Sequence, residues 1–162
     1  MPKICSAHNP ANSMRQGERV AILYGSKTRA GNTVQVAGRL REMLGDADVY
    51  HVDDVRDPEL LRRYSRFIFL TPTVGNEELS EPFEALFDQR WVDFSRKLYA
   101  ICELGNYYGF ELFEYGAAKI LHQLIRARGG QEFYPTLSLD TLPLIDWDLF
   151  NAWAQGLRDL VP

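Results

Sequence analysis

Five short apolar runs, separated by stretches with helical spacing, set the limits on what this chain can fold into. The runs are residues 19–24, 49–52, 67–71, 98–102 and 133–139. They are apolar without strict alternation, which suits strands covered on both faces. Between them lie helical stripes. Val34, Ala37, Leu40 and Leu44 mark the first. Phe83, Leu86 and Phe87 mark the second, with Pro82 suited to an early turn. Ala117, Ile120, Leu121, Leu124 and Ile125 mark the third, stopped by Gly129-Gly130. Phe150, Trp153, Leu157 and Val161 mark the last, and residues 58–64 have room only for a short helix. Parallel neighbours need crossovers, and crossovers are right-handed. The alternation therefore predicts a doubly wound α/β sandwich, with helices on both faces of a five-stranded parallel sheet.

A chain of 162 residues closes one core rather than two. No repeat or low-complexity linker divides it, and residues 1–17, rich in Pro, Asn, Ser and Gln without a period, read as a mobile arm before a domain spanning 18–162. Lys and Arg number 18 against 22 Asp and Glu, a net charge of −4, which argues against a binder that neutralises nucleic-acid phosphates. The two cysteines, Cys5 and Cys102, are too few for a disulfide framework. Cys102 reads as a small buried residue. Cys5 and His8 lack further ligands nearby, so no metal site is expected. The first residues hold no signal-peptide core, and no apolar run approaches the roughly 20 residues of a membrane helix. The expected location is the cytoplasm, with no membrane partner.

In such sheets ligands sit at the carboxyl ends of strands where the strand order switches. The loops after strands one, three and four are the ones that stop looking generic. The first contains Ser26, Lys27, Thr28, Arg29, Ala30, Gly31, Asn32 and Thr33. Its glycines let N–H groups turn inward, its hydroxyls add neutral donors, and the helix start adds partial positive charge. That combination suits a phosphate monoester. It matches neither the nucleotide-hydrolase loop nor the dinucleotide fingerprint. The second loop, Pro72-Thr73-Val74-Gly75-Asn76, makes a turn whose backbone can approach a ligand. The third runs from Glu103, Leu104, Gly105 and Asn106 into Tyr107, Tyr108, Phe110 and Phe113. Four rings in one surface loop call for something to cover. Phe113 is best placed to pack under the following helix, and a flat aromatic ligand accounts for the others.

These three loops, in this order, resemble those of flavodoxins, and the resemblance runs over nearly all of residues 19–161. It implies a sheet of order 2-1-3-4-5, non-covalently bound FMN and a role in carrying electrons. Ser26-Lys27-Thr28 and Gly31-Asn32-Thr33 match the family's phosphate loop, with Arg29-Ala30 inserted. Pro72-Thr73 match the next loop, but Val74 stands where an aromatic usually covers one flavin face. Gly105-Asn106 match the third, with Phe110 or Tyr108 at the position of the second covering ring. The tail, Leu137-Ser138-Leu139-Asp140 leading to Trp147 and Trp153, follows the pattern, and the last strand is expected to be uninterrupted as in the short-chain branch. The resemblance thus implies FMN contacts at Ser26, Lys27, Thr28, Gly31, Asn32, Thr33, Pro72, Thr73, Val74, Gly75, Asn76, Glu103, Leu104, Gly105, Asn106, Tyr108, Phe110 and Phe113.

Two departures carry expectations of their own. Lys27 or Arg29 could pair with the FMN phosphate and raise the flavin's potential. Val74 leaves one flavin face open. No side chain is assigned acid–base chemistry, so an electron carrier between protein redox partners is favoured over an FMN-dependent oxidoreductase. Two alternatives stand beside it: an interaction module with weak or lost FMN binding, and an accessory flavoprotein resembling the activators of manganese ribonucleotide reductase, which share the Thr-Pro-Thr-x-Gly loop. His51 and His122 pair with no nucleophile in the sequence. Charge is split along the chain: residues 1–45 carry net +5 and residues 74–114 net −6. The acidic run Glu77, Glu78, Glu81, Glu84 and Asp88 could steer a basic redox partner.

Overall fold

A computed structural model describes residues 19–74, 78–106 and 116–161. The element order is β1 (Val20–Tyr24), α1 (Asn32–Leu44), β2 (Ala47–His51), a 3-10 turn (Val52–Asp54), α2 (Pro58–Arg62), β3 (Arg66–Pro72), α3 (Glu81–Phe87), β4 (Leu98–Gly105), α4 (Ala117–Ala127), β5 (Gln131–Glu132), β6 (Leu137–Asp140) and α5 (Trp147–Arg158). The sheet runs β2-β1-β3-β4, all parallel, with β5 and β6 both pairing β4. The predicted doubly wound sandwich and the 2-1-3-4-5 order are therefore present.

Alternation along the strands sends side chains to two separate cores. Ala21, Leu23, Phe67, Phe69, Tyr99 and Ile101 face one, packed under α2, α3 and α4. Val20, Ile22, Ile68, Leu70, Ala100 and Cys102 face the other, under α1 and α5. Both sets are apolar because both faces are covered, which is why the sequence shows runs rather than alternation. Edge-to-face rings stiffen the first core: Phe67 and Phe94 lie 5.3 Å apart at 83°. Helix starts follow local chemistry. Asp57 accepts from Glu59 N at 2.9 Å with Pro58 at the first helical position.

Some boundaries and stripes differ from expectation. The second strand is Ala47–His51 rather than 49–52, because its pairing with β1 begins at Val20↔Ala47. The fully buried stripe of α1 is Thr33, Val36, Ala37 and Leu40, with Val34 and Leu44 partly buried against the same core. In α4, His122 is buried while Ile120 is 36% exposed.

The last strand is interrupted, which corrects the expectation of a continuous run over 133–139. Tyr99 pairs Glu132 and Cys102 pairs Leu137, so residues 133–136 span the space that Ala100 and Ile101 cover on β4. Pro135 has no N–H to donate to a ladder. The looped-out groups find other partners. Pro135 O accepts from Trp153 Nε1 at 2.8 Å, and Tyr134 donates to Trp153 O at 2.8 Å. Thr136 Oγ1 lies 2.7 Å from His122 Nε2, whose Nδ1 meets Tyr99 OH at 2.8 Å. Burial holds the His122 pKa below the usual histidine value, so the ring serves as a neutral bridge there.

Candidate functional site

The carboxyl ends of β1, β3 and β4 lie side by side. Tyr24 pairs Leu70, Leu70 pairs Cys102, and Pro72 pairs Leu104. Backbone bonds continue past the strands: Gly25 N donates to Leu70 O (3.2 Å), Thr73 N to Leu104 O (2.9 Å) and Thr141 N to Gly105 O (2.9 Å). α1 leaves β1 toward one face and α3 leaves β3 toward the other. A crevice between such diverging crossovers is where sheets of this kind bind ligands.

The loop between β1 and α1 is held by its carbonyls. Gly25 O accepts from the hydroxyl of Ser80, which is 1% exposed. Ser26 O lies 2.6 Å from His51 Nε2, and His51 is 2% exposed. The other ring nitrogen, Nδ1, accepts from Asp53 N at 3.0 Å. An N–H can only donate, so Nδ1 is the bare nitrogen and Nε2–H donates to Ser26 O. Tyr24 meets the imidazole edge-on at 4.9 Å. Gly25 is required where it stands, because a Cβ there would enter the Phe83 ring.

Within the loop, Ser26 Oγ donates to Thr28 O at 2.5 Å and Thr28 Oγ1 to Ala30 O at 3.0 Å. Gly31 turns the chain at φ +92°, a conformation that suits glycine, and α1 follows. No side chain caps this helix, and its first turn carries no acidic residue. Its first backbone bond runs from Gln35 N to Gly31 O, so the amides of Asn32, Thr33 and Val34 have no partner within the helix. Asn32 is exposed and Thr33 buried. An uncapped helix of 13 residues, preceded by carbonyls already engaged elsewhere, is a donor set that fits a phosphate.

The two cations of the loop point to protein carboxylates. Arg29 pairs with Asp54 through Nη1 and Nη2 at 2.8 and 3.0 Å. The guanidinium holds the Asp54 carboxyl below its usual range. Lys27 Nζ lies 3.4 Å from Glu81 at the start of α3. The expectation that one of them is reserved for a phosphate therefore meets two residues that already have acidic partners.

The other two loops are described in part. Val74, half-buried, is bridged to Glu78 by Val74 N to Glu78 O (3.0 Å) and Glu78 N to Val74 O (2.8 Å). Thr73 Oγ1 accepts from Ala117 N at 3.2 Å and so helps hold the start of α4. Glu103 is fully buried. Its carboxylate accepts from Ala118 N at 2.9 Å and from Ser138 Oγ at 2.5 Å. Leu104 is buried in the second core, Gly105 is half-buried, Asn106 is exposed, and Pro72 is half-buried at the end of β3. Gly75, Asn76, Tyr108, Phe110 and Phe113, like residues 1–18, lie outside the described residues. The fold thus brings together Ser26 to Thr33, Pro72 to Val74 and Leu104 to Asn106, while the Glu103 carboxylate is turned into the protein. His51 and Ser80 were missed by the sequence reading. They lie 25 and 55 residues from the carbonyls they hold, and no local pattern marks either.

Among the described residues no helix is long and apolar enough to cross a membrane. The flavodoxin family profile matches residues 22–153. A flavodoxin of Picosynechococcus sp. is 31% identical over 127 residues, covering 75% of this chain and 74% of the relative. A probable flavodoxin 2 of Bacillus subtilis is 29% identical over 130 residues, covering 77% and 83%. The fold is similar to that of Fusobacterium nucleatum flavodoxin bound to flavin mononucleotide, with a TM-score of 0.70 and 18% identity over 89% of this chain and 99% of the other. With the 2-1-3-4-5 sheet and a match through all three switch-point loops, this chain belongs to the flavodoxin family.

Proposed function

We propose that this chain binds FMN non-covalently at the carboxyl ends of β1, β3 and β4 and carries electrons between protein redox partners in the cytoplasm. The observation that carries the reading is the uncapped start of α1, following a loop whose carbonyls are held by His51 and Ser80. The amides of Asn32 and Thr33, with the Ser26 to Gly31 loop, would hold the phosphate. Val74, Gly75 and Asn76 would flank the flavin on one side, with Tyr108 or Phe110 on the other, and residues 103–106 would meet its pyrimidine edge. The flavin, when bound, supplies the electron chemistry, and the protein binds and tunes it. The solved Fusobacterium relative was crystallised with FMN, in keeping with this assignment. Glu78, Glu81, Glu84 and Asp88 are all exposed beside the β3 loop, which suits a basic partner protein. The interaction-module reading is not favoured, since the family match spans every loop it would need to have lost.

The test is the visible spectrum and fluorescence of FMN titrated with the protein. A shifted flavin band and quenched fluorescence at 1:1 stoichiometry are expected. Adding NAD(P)H without a reductase should leave the bound flavin oxidised. Unquenched FMN at high protein concentration would overturn the assignment, and direct bleaching by NAD(P)H would make the protein a reductase.

A further inference from the structure

Among the buried polar side chains that the FMN reading leaves unused, two act on one short piece of backbone. Consecutive carbonyls, Gly25 O and Ser26 O, each accept a hydrogen bond from a side chain almost without solvent exposure: Ser80 and His51. These donors come from different layers. Ser80 precedes α3, and His51 ends β2. Neither donates its hydrogen to a neighbour in sequence, although His51 Nδ1 also caps the 3-10 turn by accepting from Asp53 N. Ser80 stands at the N-cap of α3 and yet caps no amide of that helix. His51 is oriented by Asp53 N and directs its single N–H at the loop.

A carbonyl oxygen carries partial negative charge, and one facing an anion would cancel the benefit of the neighbouring amides. An oxygen bonded to a buried donor is committed to that donor, and the peptide that carries it is fixed in orientation. We infer that His51 and Ser80 are positioning residues for phosphate recognition. They hold the 25–26 and 26–27 peptides with their oxygens turned to protein, so that the loop meets an anion with amides only. The inference rests on the FMN reading, and it concerns the phosphate end of the ligand alone. The bidentate Arg29–Asp54 pair ties the inserted part of the loop to the same 52–54 turn that orients His51. The insertion is thereby fastened to the element that sets the loop's geometry.

Riboflavin, which is FMN without its phosphate, separates positioning from general damage. Dissociation constants for both flavins are to be measured by fluorescence quenching on the full chain and on His51→Phe, His51→Gln and Ser80→Ala. Wild type should bind FMN more tightly than riboflavin. Losing one buried donor should reduce that preference about tenfold, with riboflavin affinity unchanged. His51→Gln keeps an N–H near the Nε2 position and should recover most of the preference. Ser80→Ala tests the same point if the histidine variant does not fold. Parallel weakening of both flavins, or an unchanged preference in His51→Phe or Ser80→Ala, would overturn the inference while leaving FMN binding standing. A wild type that binds no FMN would remove both.

Discussion

Arg29 and Asp54 meet in a two-point ion pair, with nitrogen–oxygen distances of 2.8 and 3.0 Å. Both side chains are about half exposed, so the pair adds little stability on its own. Its effect is on where the cation stands. A guanidinium gripping Asp54 is not free to neutralise a phosphate at the start of α1. Arg29→Ser should therefore leave the midpoint potential of the FMN-loaded protein where wild type has it. Potentiometric titration of both checks this. A fall in potential on losing the cation would mean that Arg29 leaves Asp54 when the ligand binds.

Val74 closes the β3 loop against Glu78 while remaining half-buried. If Val74 flanks the flavin as proposed, a ring at this position would add stacking area to that face. Val74→Trp should tighten FMN by about 1 kcal/mol, read as a lower dissociation constant in a quenching titration. No gain would show that the side chain does not line the flavin.

Glu103 places a buried carboxylate under the start of α4, where it accepts from Ala118 N and Ser138 Oγ. Anions are favoured at helix starts, and hydrogen bonds to charged acceptors are the stronger kind. Glu103→Gln removes the charge and turns an NH2 toward groups that already donate. It should cost about 1–3 kcal/mol in urea denaturation at neutral pH. An unchanged midpoint would contradict the role.

Asp48 joins the amino end of the sheet. Its carboxylate accepts from Arg19 at 2.6 and 3.0 Å and from Tyr64 OH at 2.6 Å. The Arg19 hydrogen bonds, then that from Tyr64, hold its pKa below the usual carboxylate value. The unfolded chain therefore takes up the proton first as pH falls. The stabilisation is fully present above the ordinary carboxylate pKa of roughly 3.9 and is lost as pH drops through the lower folded-state value. Asp48→Asn should be about 1 kcal/mol less stable at neutral pH. It should also lose less stability than wild type between pH 4 and pH 2 (roughly the window set by that pKa). Melting curves across this range provide the check, and parallel curves would refute it.

The strands and helices were legible because each has a local cause. β1, β3 and β4 are apolar runs since both their faces are covered, and Gly31 with Asn32 announces a helix start by chain chemistry alone. The interruption after Glu132 was half visible: Pro135 denies the ladder an N–H, but only the register against β4 shows that residues 133–136 loop out and rejoin it. Long-range partners were not visible at all. Sequence by itself determined the doubly wound fold, because burial periodicity and turn chemistry act over a few neighbouring residues. Tertiary structure alone decided that Arg29 faces Asp54, that the Glu103 carboxylate turns inward, and that His51 and Ser80 hold the loop between β1 and α1 from 25 and 55 residues away. A hydrogen bond depends on distance in space, and only the folded sheet brings those donors to the carbonyls that need them.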